Sequence, residues 1–395
     1  MPNSPPILTW SDAIEHGRQY LRGAADILNE DDLYAATKAA LRDLTMSDKW
    51  SAYWKPLQIN LEATYSTGTI AFDYTGGAHE RMVTLTSGTW PTNAIYYQLR
   101  IAGVNYKVAT RESNTIITLT SDSNPGTDVA ASTTYTLFRS AYPLPSDFKK
   151  TTTPFHESEW ALVYVSPETF YHYERNVSET SGTPRMYTIV GSEDVYGSMQ
   201  FLVYPPAGTA KTLNAMYHRW PKQLKISGFA DADYAGTVTT NGTTTITGTS
   251  TTFTAKHVDS VIRFGSDGNN YPTSFDGRFP PEDERVIQSR SGATSIIVDA
   301  VVTALTNVKY RISDIVDIDQ CMINAYLRGV ELQLAKRQRD YTVINQVRNE
   351  YHEELLTAMG ADHRLLDEAL AERGMPLVNT ALNAGGLSNY SVATS

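Results

Sequence analysis

The chain has 395 residues, a formal net charge of −10, and 41% apolar and 19% charged residues. That length exceeds one ordinary core and predicts two or three domains, and the composition excludes a disordered polar chain. The acidic balance excludes a protein that grips DNA through an overall cationic surface, and no run reaches the roughly 20 apolar residues of a membrane span.

The opening "MPNSPPILTW" has no basic segment followed by an apolar one, so no signal peptide is expected. From there to Pro56 the chain reads as helical. Thr9 is placed to cap a first helix with Asp12 in its first turn, and Trp10, Ile14 and Leu21 form its apolar side. Asn29 caps a second, on which Leu33, Ala36, Ala40, Leu41 and Leu44 recur at helical spacing. Pro56 reads as the stop.

Residues 57–140 read as a first β domain and 230–313 as a second, each rich in Thr and β-branched residues. The two share an order of pieces. Gly68-Thr69-Ile70 matches Gly236-Thr237-Val238. The strand from Val83 matches that from Thr245, "NTIITLTSD" matches "ATSIIVDA", and "TTYTLF" matches "NVKYRI". A spacing of about 170 residues is too long for a solenoid, so the pattern predicts one small barrel or sandwich used twice.

Between them, 141–229 reads as mixed α/β: a strand in "WALVYV", a helix starting at Ser166-Pro167, a hairpin from "PRMYTIVG" and "SMQFLVYPP", and a strand ending at Pro221. Residues 314–374 return to helix. The stripe Ile318, Cys321, Ala325, Leu332, Ala335 continues through Ile344, Val347, Tyr351, Leu355 and Ala358. Gly360 reads as a stop, with a short last helix after Asp362. Residues 375–395 read as an extended tail. The expected fold is therefore α+β: a helical core from both ends of the chain plus a small mixed sheet, carrying two inserted all-β domains.

Chemistry is sparse. No phosphate-binding Gly-rich loop, dinucleotide fingerprint or nucleophile elbow is present, and the eight histidines include no His-x-x-x-His pair. The single cysteine, Cys321, excludes an internal disulfide framework and a thiolate cluster, and suits a reducing compartment. "YTGGAHE" reads as a hairpin turn, "GSDGNNY" and "FPPEDER" as loops, and His352-Glu353-Glu354 as a solvated helix face. No catalytic residue, metal or cofactor is assigned. The 24 tyrosines, concentrated in "YVSPETFYHYERN" and "YHRWPKQL", point to core packing and contact surfaces.

The stretch "RSAYPLPSDFKK" closes the first β domain. Its Tyr142, Leu144, Pro145, Asp147 and Phe148, with "VYPPA" at 203–207 and "YHRWP" at 217–221, resemble the head-to-tail adaptor (connector) proteins of tailed bacteriophages over residues 10–360. That resemblance implies a non-enzymatic virion protein of the neck, assembled in the host cytoplasm. It implies a self-assembled ring of about twelve copies. The implied partners are the portal, tail or nozzle proteins or fibres, and double-stranded DNA sliding past an acidic bore without sequence-specific contact. The tail would dock on the portal through Leu377, Leu382, Leu387 and Tyr390. Tyr142, Leu144, Pro145, Asp147 and Phe148 would form a stiff joint for the inserted domain. A tail-fibre or carbohydrate-binding virion protein is the alternative reading.

Overall fold

The computed structural model describes residues 7–21, 29–76, 78–151, 153–157, 160–176, 181–192, 197–274, 277–339 and 341–372. Helices α1 (Trp10–Tyr20) and α2 (Glu30–Ser47) come first, then β1 (Trp54–Leu61). A first seven-strand module follows: β2 (Ile70–Asp73), β3 (Met82–Leu85), β4 (Gln98–Ile101), β5 (Val104–Arg111), β6 (Ile116–Leu119), β7 (Val129–Thr133) and β8 (Tyr135–Phe138). The middle segment holds β9 (Ala141–Pro143), β10 (Phe148–Thr151), β11 (His156–Glu157), β12 (Trp160–Ala161), β13 (Val163–Tyr164), α3 (Pro167–Asn176), β14 (Met186–Gly191), β15 (Met199–Tyr204) and β16 (Lys211–Arg219). After α4 (Asp231–Tyr234) comes the second module: β17 (Thr237–Thr240), β18 (Thr245–Thr249), β19 (Val261–Phe264), β20 (Asp283–Gly292), β21 (Ser295–Val298), β22 (Leu305–Val308) and β23 (Tyr310–Ser313). Helices α5 (Ile323–Gln338) and α6 (Tyr341–Glu372) follow.

The chain divides into two compact units. One comprises 1–53 with 221–395, the other 54–220. The first unit contains the helices α1, α2, α5 and α6 and the second module. Both predicted N-terminal caps form. The Thr9 backbone N–H donates to Asp12 Oδ2 at 2.9 Å, and the Asp32 N–H donates to Asn29 Oδ1 at 2.9 Å. The apolar stripes of α1, α2 and part of α5 meet in a core around Trp10, Ile14, Leu44, Trp50, Tyr326 and Leu334, while the predicted C-terminal stripe is split: Leu332, Ala335, Ile344 and Val347 form a separate cluster between α5 and α6. Trp10 Nε1 donates to Thr37 Oγ1 at 2.8 Å, so its polar atom is satisfied inside that core.

The second unit is β-rich. In it β1 runs antiparallel to β16, from Trp54 opposite His218 to Leu61 opposite Lys211. Strands β11, β12 and β10 complete that sheet, and a second sheet runs β13-β14-β15-β9. Phe155, Tyr187 and Phe201 fill the space between them with Leu57, Ile59 and Leu213. The first module completes the unit.

The two modules have one topology. The first is ordered β7-β2-β3-β6-β5-β4-β8 and the second β22-β17-β18-β21-β20-β19-β23, which is the same arrangement strand for strand. Details agree as well. Tyr135 donates its hydroxyl to the Thr67 carbonyl, and Tyr310 donates to the Ala235 carbonyl, both at 2.7 Å. Each accepting carbonyl immediately precedes a glycine at positive φ, Gly68 (+78°) or Gly236 (+87°), where a Cβ would collide with a backbone carbonyl. Trp90 lies 5.2 Å from Tyr135 and Phe253 lies 5.7 Å from Tyr310, both edge-on. The sequence repeat is thus a repeat of structure.

The second module is fastened to α1. Arg263, 4% exposed, donates to both Asp12 oxygens (2.6 and 2.9 Å), to Glu284 Oε2 (3.2 Å) and to the Ile7 carbonyl (2.9 Å). Arg311 reaches Glu15 at 2.7 Å, and the Ser11 N–H donates to Ser313 Oγ at 2.9 Å.

The expected helical core with a small mixed sheet does not hold. Among the described residues the protein is mostly β, with four sheets, two of them seven-stranded and barrel-like, and strand outweighs helix by 34% to 28%. Helix signals are local, so capping boxes and three- and four-residue spacings show in sequence. Strands of two residues such as β11, β12 and β13 carry no period of their own and exist through distant partners. For the same reason Pro56 is not a helix stop but lies within β1, on the edge of its sheet. "WALVYV" is split between two sheets. Gly360 does not end the last helix, which runs through to Glu372; Asp362 is tied to Ser51 instead, accepting from its N–H at 3.1 Å.

Tyr135→Phe and Tyr310→Phe each lose one partly buried hydrogen bond and should cost about 1 kcal/mol, similar in both modules, by denaturant titration. Arg263→Ala leaves Asp12 and Glu284 without their buried partner and should cost about 3–5 kcal/mol, measured the same way.

Candidate functional site: the joint of the first module

The chain enters the first module just after β1 and leaves it just after β8, and the two ends are bound together. The Glu62 carboxylate accepts from Arg139 at 3.0 Å, from Asn93 Nδ2 at 2.7 and 2.9 Å, and from the Tyr97 hydroxyl. The Glu62 N–H donates to the Tyr142 oxygen at 3.0 Å, and that hydroxyl donates to the Arg139 carbonyl at 3.3 Å. The Arg139 guanidinium lies over two rings, 4.6 Å from the centre of Tyr142 and 5.1 Å from that of Tyr96. Burial pushes the Tyr142 hydroxyl up to about 12. Burial, then the neighbouring Glu62, pushes Tyr97 further up still. Both stay protonated and act as donors at neutral pH.

The rest of the motif lies close by. Leu144 is buried with Leu57 and Ile59, and its N–H donates to the Met199 carbonyl at 3.0 Å. The Pro145 carbonyl accepts from the Phe148 N–H at 2.9 Å, closing a turn. Phe148 stacks on Tyr217 with centroids 5.7 Å apart. Asp147 accepts from Lys55 Nζ and from the Tyr217 hydroxyl, each at 2.8 Å. Partial burial raises the Asp147 carboxyl, but the hydrogen bonds from Lys55 and Tyr217 outweigh it and hold the group below the usual carboxylate range.

The motif residues Tyr142, Leu144, Pro145, Asp147 and Phe148 are therefore brought together as a joint. Leu377, Leu382, Leu387 and Tyr390 lie outside the described residues. Sequence reading missed Glu62, Asn93, Tyr97 and Arg139. Glu62 and Arg139 flank the first β domain with opposite charges, the one signal that could have found them. A groove of about 340 Å³ runs beside the joint, between Leu57–Asn60 of β1 and Tyr142–Pro145. Both strands are sheet edges, and Pro56 and Pro143 each remove a backbone donor from them.

Other candidates are accounted for locally. Asp267 of "GSDGNNY" accepts from the Asn269 and Asn270 N–H groups at 2.7 and 2.8 Å, a self-contained turn. Asp283 and Glu284 of "FPPEDER" lie on β20 and pair with Arg285 and Arg263. His257 and Asp233 form a buried pair at 3.3 Å, and the other ring nitrogen accepts from the Thr254 N–H. Burial, then Asp319, pushes the Cys321 thiol up to about 11, away from thiolate reactivity. Among the described residues no three His, Cys, Asp or Glu side chains gather as a metal site, and no helix is long and apolar enough to cross a membrane.

With this geometry in hand, comparison with known proteins adds nothing: no family model, no curated protein and no solved structure matches the chain.

Asp147 gives the joint a pH signature. Its folded carboxyl titrates below the unfolded value near 3.9, so its contribution is present above about pH 4 and lost as pH falls through the lower, folded value. Asp147→Asn should lower stability by about 1–2 kcal/mol at neutral pH and flatten the acid limb of the stability–pH curve, measured by urea titration between neutral and acid pH.

Proposed function

We propose that this chain is a structural virion protein, a head-to-tail adaptor that forms a ring joining the portal to the tail and lining part of the DNA exit channel. One observation carries the reading. The residues on which the adaptor resemblance rests, Tyr142, Leu144, Pro145, Asp147 and Phe148, cluster at the joint where a β module leaves and rejoins the chain. In the ring, unit 54–220 presents the first module on that joint, and the helices of the other unit supply side-by-side contacts between copies. A contact of that kind is heterologous and closes by rotation. The net charge of −10 suits a wall past which DNA slides, because phosphate is repelled rather than held.

The runner-up, a fibre or sugar-binding virion protein, draws on exposed aromatics in unit 54–220: Tyr164, Tyr171, Tyr173 and Trp220.

Native mass spectrometry and negative-stain imaging of the full chain mixed with portal separate the two. The adaptor reading expects a closed ring of about twelve copies on the portal, and removal of residues 375–395 should leave a folded chain that no longer joins it. A trimeric rod, or no portal complex at all, overturns the adaptor reading.

A further inference from the structure

Strand β1 is the edge of its sheet, and its outer side follows from the pairing of its neighbour. On β16 the Met216 N–H donates to Thr153 Oγ1 at 2.8 Å, and Asn214 pairs with His156 of β11. These two residues therefore turn their backbone groups away from β1. The bonds between β16 and β1 run through the alternate pairs, Lys55 with Tyr217, Leu57 with Ala215 and Ile59 with Leu213. Pro56, Gln58, Asn60 and, just past the strand, Glu62 point their backbone groups outward. Pro56 has no N–H, and the Glu62 N–H is taken by the Tyr142 hydroxyl at 3.0 Å. The Gln58 and Asn60 N–H groups have no hydrogen-bond partner among the described residues.

Both groups lie along the groove beside the joint. Its other wall is β9, which is blocked. The Val203 N–H donates to the Ser140 carbonyl and the Leu144 N–H to the Met199 carbonyl, so Ala141 and Pro143 are the residues whose backbone faces away from β15. Pro143 has no N–H, and the Ala141 carbonyl accepts from Arg139 Nε at 3.0 Å. The groove thus offers a backbone ladder on its β1 side alone, a short window between Pro56 and Glu62. Its lining, residues 57–60 and 142–145, holds no charged side chain. An edge window without charge is a template for one added strand.

We propose that this groove takes residues 389–394 of a second copy as an added strand; the proposal rests on the ring assembly above. The segment matches the groove in charge and in period. Residues 375–395 carry no charged side chain. Tyr390, Val392 and Thr394, three strand-favouring residues, alternate with Ser391 and Ala393. Strand β1 alternates in the same way, with Leu57 and Ile59 buried and Gln58 and Asn60 exposed. A strand laid along it with Tyr390 and Val392 inward places apolar side chains beside Leu57 and Ile59, and Ser391 beside the polar row. The stretch 373–388, beyond the described residues, spans on the order of 50 Å when extended, enough to reach a neighbouring copy. Each copy has one tail and one groove, so the contact is heterologous and passes from copy to copy until the ring closes. Tyr390 is thereby moved from the portal, where the adaptor resemblance places it, to the neighbouring copy.

Hydrogen exchange and sedimentation velocity of the full chain over a concentration series test this. In the associated chain the Gln58 and Asn60 amides are expected to exchange about tenfold more slowly than in a chain lacking residues 388–395 or one carrying Val392→Pro, which removes a backbone donor from the added strand. Both variants should raise the dissociation constant for self-association about tenfold. Val392→Thr keeps the donor and the branched side chain and should behave as the unaltered chain. None of these changes touches a residue of the described cores, so at concentrations where all are monomeric their thermal unfolding should match. If the two amides exchange equally fast in the associated unaltered chain and in both variants, the proposal is overturned while the ring reading stands. Slow exchange that persists where the chain is monomeric puts the tail on its own copy and overturns the assignment to a second one. An unaltered chain that stays monomeric with and without portal removes the ring and this contact together.

Discussion

A tyrosine hydroxyl on the last strand of each module bonds to the carbonyl that precedes the glycine opening its first strand. This single contact ties the start of a seven-stranded sheet to its end. It requires the glycine, because the chain turns through positive φ beside a backbone carbonyl that leaves no room for a side chain. It also requires burial, which keeps both hydroxyls protonated as donors. With the ends held, Trp90 in one module and Phe253 in the other pack against the same tyrosine, and the remaining core assembles on that pair.

From this shared frame the modules diverge at their attachments. The first is held by a half-buried knot of Glu62, Arg139 and Tyr142 at its two ends, so its anchorage is a joint. The second is held across a sheet face, where α1 places two carboxylates on two arginines. The same strand position thus carries Arg263, tied to α1, in the second module and Arg100 in the first.

The motif that suggested a stiff joint proved richer than its prolines. Pro145 closes a turn and Pro143 blunts an edge strand, but the specific hold comes from Tyr142 and Asp147, each bonded to residues about 70 to 90 positions away. None of those partners is suggested by local pattern. Glu62 and Lys55 sit in or beside what reads locally as a helix stop, and Tyr217 in an ordinary strand.

What the sequence determined by itself was local or repetitive. The caps at Thr9 and Asn29, the apolar stripes of α2 and α5, the Gly68 and Gly236 turns and the twofold order of strands all follow from side-chain chemistry within a few residues, and they survive in the fold. Only the tertiary structure decided that strands outweigh helices, that β1 pairs with β16 across the whole first module, and that Arg263 of β19 is buried against α1. Those outcomes depend on which distant segments meet. Two-residue strands and lone arginines carry no period of their own, so their roles are set by the partners that folding brings to them.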